Sequence, residues 1–143
     1  MVKEYRRTPM VRFVGWMMSG LARRGMGPSS VLTTIGRKTK KPHLVPVSPI
    51  FIEGREYLVA PYGQVGWVKN TRVRPQITLT RGKTEREAVA TEVHGEEAAR
   101  ALAAYHQRET FARPYMDVPL DPTIEDFAAR AANFPVFRIE PRP

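Results

Sequence analysis

The chain of 143 residues contains no cysteine. Disulfides, thiolate metal sites and thiol nucleophiles are excluded by that absence. It fits a reducing compartment, so a cytoplasmic location is expected. Long hydrophobic runs are also missing. FVGWMMSGLA is preceded by Lys3, Arg6, Arg7 and Arg12 and ended by Arg23-Arg24. That stretch is too short to span a bilayer and is not read as a secretion signal. The three histidines, His43, His94 and His106, show no ligand pairing, so neither a metal centre nor haem ligation is expected. No His–Asp set or paired carboxylates suggest acid–base hydrolysis. No internal repeat or low-complexity block is present.

Acidic residues are scarce in the first half. Residues 1–83 hold 16 Lys and Arg against 3 Asp and Glu, whereas residues 84–143 hold 7 against 11. A net charge of +9 is therefore concentrated where the chain should meet an anion. Nucleic acid, anionic lipid and a polyanionic small molecule all satisfy that requirement. Nucleic acid is the weakest of the three, because residues 31–50 lack aromatics interleaved with cations to stack bases.

The length suits one domain able to bury about two-thirds of its surface. Residues 1–27 form an N-terminal unit and residues 28–143 the main domain. In the first, Met10, Phe13, Val14, Met17 and Leu21 share one helical face over residues 8–24. That face either packs on the domain or, with Trp16 and the flanking arginines, makes peripheral contact with the inner face of an anionic membrane.

Strands are expected at Val31–Thr34, Leu44–Ile52, Tyr57–Ala60, Gln76–Thr80, Glu85–Val93 and Phe134–Ile139. Pro46 and Pro49 make the second an edge or kinked strand. Helices are expected at Trp67–Val73, Glu96–Arg108 and near Thr123, with Asp121 or Thr123 as cap. About six hairpin-linked strands with decorating helices read as α+β, a small antiparallel barrel.

Two constellations carry chemistry. The first is T-G-R-K-T-K-K-P-H, residues 34–43 with Ile35 inside it. Gly36 lets the chain turn where a Cβ would clash. Arg37 grips an oxyanion bidentately, and Lys38, Lys40 and Lys41 supply point charges. Pro42 fixes the exit. The pattern is a phosphate or carboxylate receiver without a Walker sequence; a solvated hairpin tip has the same composition. The second is P-Y-G-Q-V-G-W-V-K-N-T-R, residues 61–72. Helical spacing puts Trp67, Asn70 and Arg74 on one face, where an indole, an amide and a guanidinium suit a flat heterocycle. The same spacing also suits a core Trp and a turn Asn.

Taken in order, L-T-T-x-G-R-K-T-x-K-P-H-x-x-P, a Gly-containing loop, W-x-x-N-x-R and a terminal P-V-F-x-x-E-P resemble the deazaflavin-dependent nitroreductase family. The likeness is good over residues 31–81 and in the closing strand, and covers residues 84–134 in layout only. It implies a split β-barrel that binds reduced coenzyme F420, whose phosphate and oligoglutamate tail make it a long anion. The tail would lie on Arg37, Lys38, Lys41 and His43, with Gly36, Thr39 and Pro42 shaping the loop. The ring would lie between Pro46-Val47-Ser48 and the loop Ala60-Pro61-Tyr62-Gly63, flanked by Trp67 and Asn70. The partner is a small-molecule hydride acceptor: a quinone, an enone or a nitroaromatic. Tyr62, Ser48, Tyr105 and Tyr115 are the candidate donors to it. His43 stands where family members often have Arg. Ser48 stands where nitro-reducing members have Tyr, and Pro61-Tyr62 where they have Ser-Lys. An FMN-binding barrel is the alternative cofactor reading, and the expected state is monomer or homodimer.

Overall fold

The computed structural model describes residues 30–108, 116 and 118–142. The expected helix over residues 8–24 and Tyr115 lie outside the described residues.

Ser30-Val-Leu-Thr-Thr-Ile35 is β-branched almost throughout and forms β1. Next come β2 (Pro42–Val47), β3 (Ile50–Ile52) and β4 (Arg55–Val59). Between β3 and β4 the chain reverses at Glu53 and Gly54, with φ of 51° and 81°. A two-residue turn of that hand matches the twist of the flanking strands. Helix α1 (Gly66–Val73) leads to β5 (Gln76–Arg81) and β6 (Thr84–Val93). Helix α2 (Gly95–Arg108), helix α3 (Ile124–Arg130) and β7 (Val136–Pro141) complete the order. α3 starts at a capping box, in which the Thr123 side chain accepts from the Asp126 amide and Asp126 accepts from the Thr123 amide.

Among the described residues seven strands are present rather than six, because the expected Leu44–Ile52 strand is two. They form one antiparallel sheet in the order β2-β1-β5-β6-β7-β4-β3. β2 and β3 are therefore its two edges, yet only Ser48 and Pro49 separate them in sequence. A two-residue link cannot bridge a flat seven-stranded sheet, whose strands lie about 4.8 Å apart. The sheet is accordingly curled, and Pro46 and Pro49 sit where missing ladder donors cost least. The expected α+β antiparallel barrel with decorating helices is observed, in the form of a curled half-barrel.

Period-2 alternation divides the core. On β4, Leu58 joins Leu32, Ile77, Leu79, Ala88, Ala90, Phe137 and Ile139 inside the curl. Tyr57 and Val59 join Leu102, Tyr105, Phe127 and Val136 beneath α2 and α3. α1 adds Trp67 and Val68 to the inner cluster and closes one end of the curl. Arg72 fixes it there with paired 2.8 Å hydrogen bonds to Glu92 of β6. Glu56 of β4, 8% exposed, is paired with Arg86 across the curl. Among the described residues no helix is long and apolar enough to cross a membrane.

Candidate active site

The β1–β2 connection and the start of α1 face each other across a cleft of about 680 Å³. One wall is the hairpin loop and β2: Gly36, Arg37, Lys38, Thr39, His43, Pro46, Val47 and Ser48. The other is Pro61, Tyr62, Val65, Gly66, Trp67 and Asn70, and Tyr105 of α2 completes the lining. Its size lies in the range of small-molecule and cofactor sites.

The loop is held in shape by its own backbone. The Gly36 amide donates to Lys41 O at 2.8 Å, and the Lys40 amide to Gly36 O at 2.9 Å. Lys40 takes a φ of 62° to close this turn, a left-handed conformation that a side chain rarely adopts. Lys40 Nζ steadies it by donating to Arg37 O at 3.3 Å. The clash expected at Gly36 is present: a Cβ there would lie 2.4 Å from Thr39 Oγ1 and 2.7 Å from His43 Nε2. Those two side chains are themselves 3.3 Å apart, and Thr39 Oγ1 also accepts from the Lys41 amide.

Arg37 is drawn inward. Its backbone amide and its Nη1 both donate to Asn70 Oδ1, at 3.2 and 2.8 Å. Asn70 is 4% exposed, and its Nδ2 donates to the buried Thr34 Oγ1 at 3.2 Å. The guanidinium beside Asn70 is thus that of Arg37, not of Arg74. Arg74 is the extended residue that ends α1, and its amide donates to Asn70 O. No local spacing announces this pair, since 33 residues separate the two partners.

Among the described residues, Arg37, Lys38, Lys40 and Lys41 form no ion pair. Arg55, Arg72, Arg86, Arg100, Arg138 and Arg142, by contrast, each face a glutamate. The amides of Lys38 and Thr39 also donate to no group among the described residues. The loop therefore presents charge and N–H donors that no described residue neutralises, which is the donor set a phosphate or carboxylate requires.

The opposite end is apolar and hydroxyl-tipped. Trp67 is 9% exposed and belongs to both the core and the cleft wall, its ring 5.5 Å from that of Phe137. Ser48 and Tyr105 line the cleft while being 7% and 3% exposed. Tyr62 stands at the mouth, 58% exposed.

Thirteen of the residues singled out from the sequence meet in this one cleft. Lys41, Pro42, Ala60 and Gly63 do not line it. Lys41 and Pro42 are exposed at the start of β2, where Pro42 pairs with Ile35. Ala60 is wholly buried, its amide bonded to Pro135 O. Gly63 turns the loop with a φ of 85°. Leu44, Val45, Val59, Val65 and Gly66 line the cleft without having been singled out. Their alternation marked only strand or turn, and nothing local distinguishes a cleft-facing valine from a core one.

The fold is thus a curled antiparallel half-barrel, with a cleft rimmed by cations and walled in part by an indole. Structures of the same fold include the protein Atu2129 of unknown function from Agrobacterium tumefaciens str. C58, with a TM-score of 0.61 and 18% identity. That match covers 99% of this chain, which spans only 58% of the other. General Stress Protein 26 from Bacillus anthracis str. Sterne aligns with a TM-score of 0.54 and 14% identity over 89% of this chain and 88% of that one. An F420-H2 dependent reductase, FDR-A, aligns with a TM-score of 0.51 and 23% identity over 78% of this chain and 92% of that one. No curated protein matches the sequence. Residues 6–117 match the F420H(2)-dependent quinone reductase family, and the chain belongs to it. The family is one of oxidoreductases, and its name specifies reduced coenzyme F420 as the cofactor.

Proposed function

We propose that this protein uses reduced F420 in the cleft between the β1–β2 loop and α1 to reduce a quinone-type acceptor. One observation carries the reading: four cations without a counter-ion among the described residues stand on the loop that rims an apolar, Trp-walled cleft. Arg37, Lys38 and His43, with the amides of Lys38 and Thr39, receive the coenzyme's phosphate and oligoglutamate tail. Lys40 and Lys41 lie off the lining and add to the positive field there. Pro46, Val47, Pro61 and Trp67 hold the ring.

When bound, the reduced coenzyme supplies a hydride to the acceptor. The chain's own contribution is to orient the two reactants face to face and to keep water from the site with Val45, Val59 and Val65. Negative charge grows on the acceptor oxygen as the hydride arrives. Ser48 and Tyr105, nearly buried residues that line the cleft, are the candidate donors to that oxygen. Tyr62, exposed at the mouth, suits delivery of the proton from solvent. Enones and nitroaromatics make the same demand and form the second class of acceptor.

The test is oxidation of F420H2 followed by absorbance, with a quinone, an enone and a nitroaromatic offered separately. Turnover with the quinone is expected. Turnover with none of the three, or retention of FMN in place of F420, removes the assignment.

A further inference from the structure

Resting on that reading, we propose that Asn70 is a positioning residue that acts on the coenzyme through Arg37. It makes the tail-binding loop and the ring-binding wall one cooperative unit. Spacing alone leaves Asn70 either turned to a flat ring or serving as a turn residue. The geometry differs. Asn70 Oδ1 already accepts two hydrogen bonds from Arg37, and its Nδ2 donates to Thr34. The residue is 4% exposed, so it meets the cleft chiefly through the guanidinium it holds.

Three consequences follow from this geometry. First, a long arginine side chain loses rotamer freedom when it is fixed. Asn70 fixes it before any ligand arrives, so an anion binding there meets a preset donor. Second, a neutral amide directs the guanidinium without cancelling its charge. Each carboxylate that pairs an arginine elsewhere in the fold does cancel it. Third, Asn70 lies one turn after Trp67 on α1. A shift of α1 when the ring packs on Trp67 moves Arg37 with it. Lys38 and Lys40 have no such tie to α1 among the described residues.

The test is a double-mutant cycle on the full chain. The affinities of the unaltered protein, Asn70→Ala, Arg37→Ala and the double variant are measured by fluorescence titration, with F420 and with its tail-free deazaflavin. Asn70→Ala is expected to weaken F420 by about tenfold, the worth of one charge-assisted hydrogen bond. It should leave the tail-free ring within about twofold and add nothing once Arg37 is gone. A purely structural role would weaken both ligands equally and remain additive with Arg37→Ala; that result overturns the inference. Asn70→Asp decides the matter if Asn70→Ala does not fold. Nearly the same shape, it sets a carboxylate against Arg37 and should weaken F420 but not the tail-free ring. F420 binding by Asn70→Asp equal to that of the unaltered protein overturns the proposal. If the unaltered protein does not bind F420 at all, the functional reading itself falls. If it binds F420 and the cycle is additive, only the positioning role falls.

Discussion

The His43 ring stands over Gly36: a Cβ added to that glycine would lie 2.7 Å from His43 Nε2. Gly36 is needed for this close approach rather than for a left-handed backbone, since it is not among the positive-φ residues. The consequence is testable. Gly36→Ala must displace Thr39 and His43, both exposed side chains that can swing outward. The cost in stability should be modest, about 1 kcal/mol by urea unfolding. F420 binding should weaken more than that, because the displaced groups shape the loop. Unchanged affinity in a folded Gly36→Ala protein contradicts the role given to the loop.

Trp67 serves core and cleft at once, so its two losses should appear together. Trp67→Ala removes a nearly buried indole packed on Phe137 and should cost about 3–5 kcal/mol. Trp67→Phe keeps much of the packing. It is expected to recover most of the stability while leaving ring binding impaired. Full recovery of both by phenylalanine would make the indole's place in the wall incidental.

Charge reversal separates the two ends of the site. Arg37→Glu with Lys38→Glu should weaken F420 far more than the tail-free deazaflavin, compared by parallel titrations. Equal weakening of both ligands shows that the loop does not seat the tail.

The pH dependence of stability follows from two glutamates. Glu97 accepts from Tyr57 at 2.8 Å and from Arg138 at 2.9 Å, and these bonds, Tyr57's foremost, hold its carboxyl below the usual carboxylate range. Arg72, foremost through its hydrogen bonds, does the same for Glu92. Both folded-state values lie below the unfolded one of about 4.3. The stability the pairs contribute is complete above that pH and is lost as pH falls through the lower, folded values. Glu92→Gln and Glu97→Gln should each flatten the acid limb of a plot of urea stability against pH. Burial, with Glu97 beside it, raises Tyr57. Its contribution is present below about pH 10 and is lost as pH rises through the folded value, and Tyr57→Phe should flatten that alkaline limb. Unaltered limbs in these variants contradict the assignment.

Local pattern was enough for the other strands, for the three described helices and for narrowing the last helix's cap to Asp121 or Thr123, because hydrophobic period and capping chemistry act over a few residues. It was not enough for the split of Leu44–Ile52. The prolines there signalled an edge or a kink; the two halves prove to be opposite edges of one sheet, a relation set by closure of the curl. The Arg37–Asn70 pair was invisible for the same reason, since a bond across 33 residues leaves no period. Tyr105, named among the candidate donors, sits on the buried face of α2 and belongs to both the core and the cleft lining. The motifs around Gly36 and Trp67 were legible separately. That they face one another is a property of the fold.

The most direct measurement is a fluorescence titration of the purified protein with F420, set beside FMN and FAD. A change in F420 fluorescence that saturates at micromolar concentration, with FMN and FAD bound far more weakly, is the predicted result. F420 fluorescence unmoved at large excess, or a preparation that holds FMN instead, contradicts the central claim that the loop of Arg37, Lys38, Lys40 and Lys41, which no described residue neutralises, exists to hold an anionic deazaflavin.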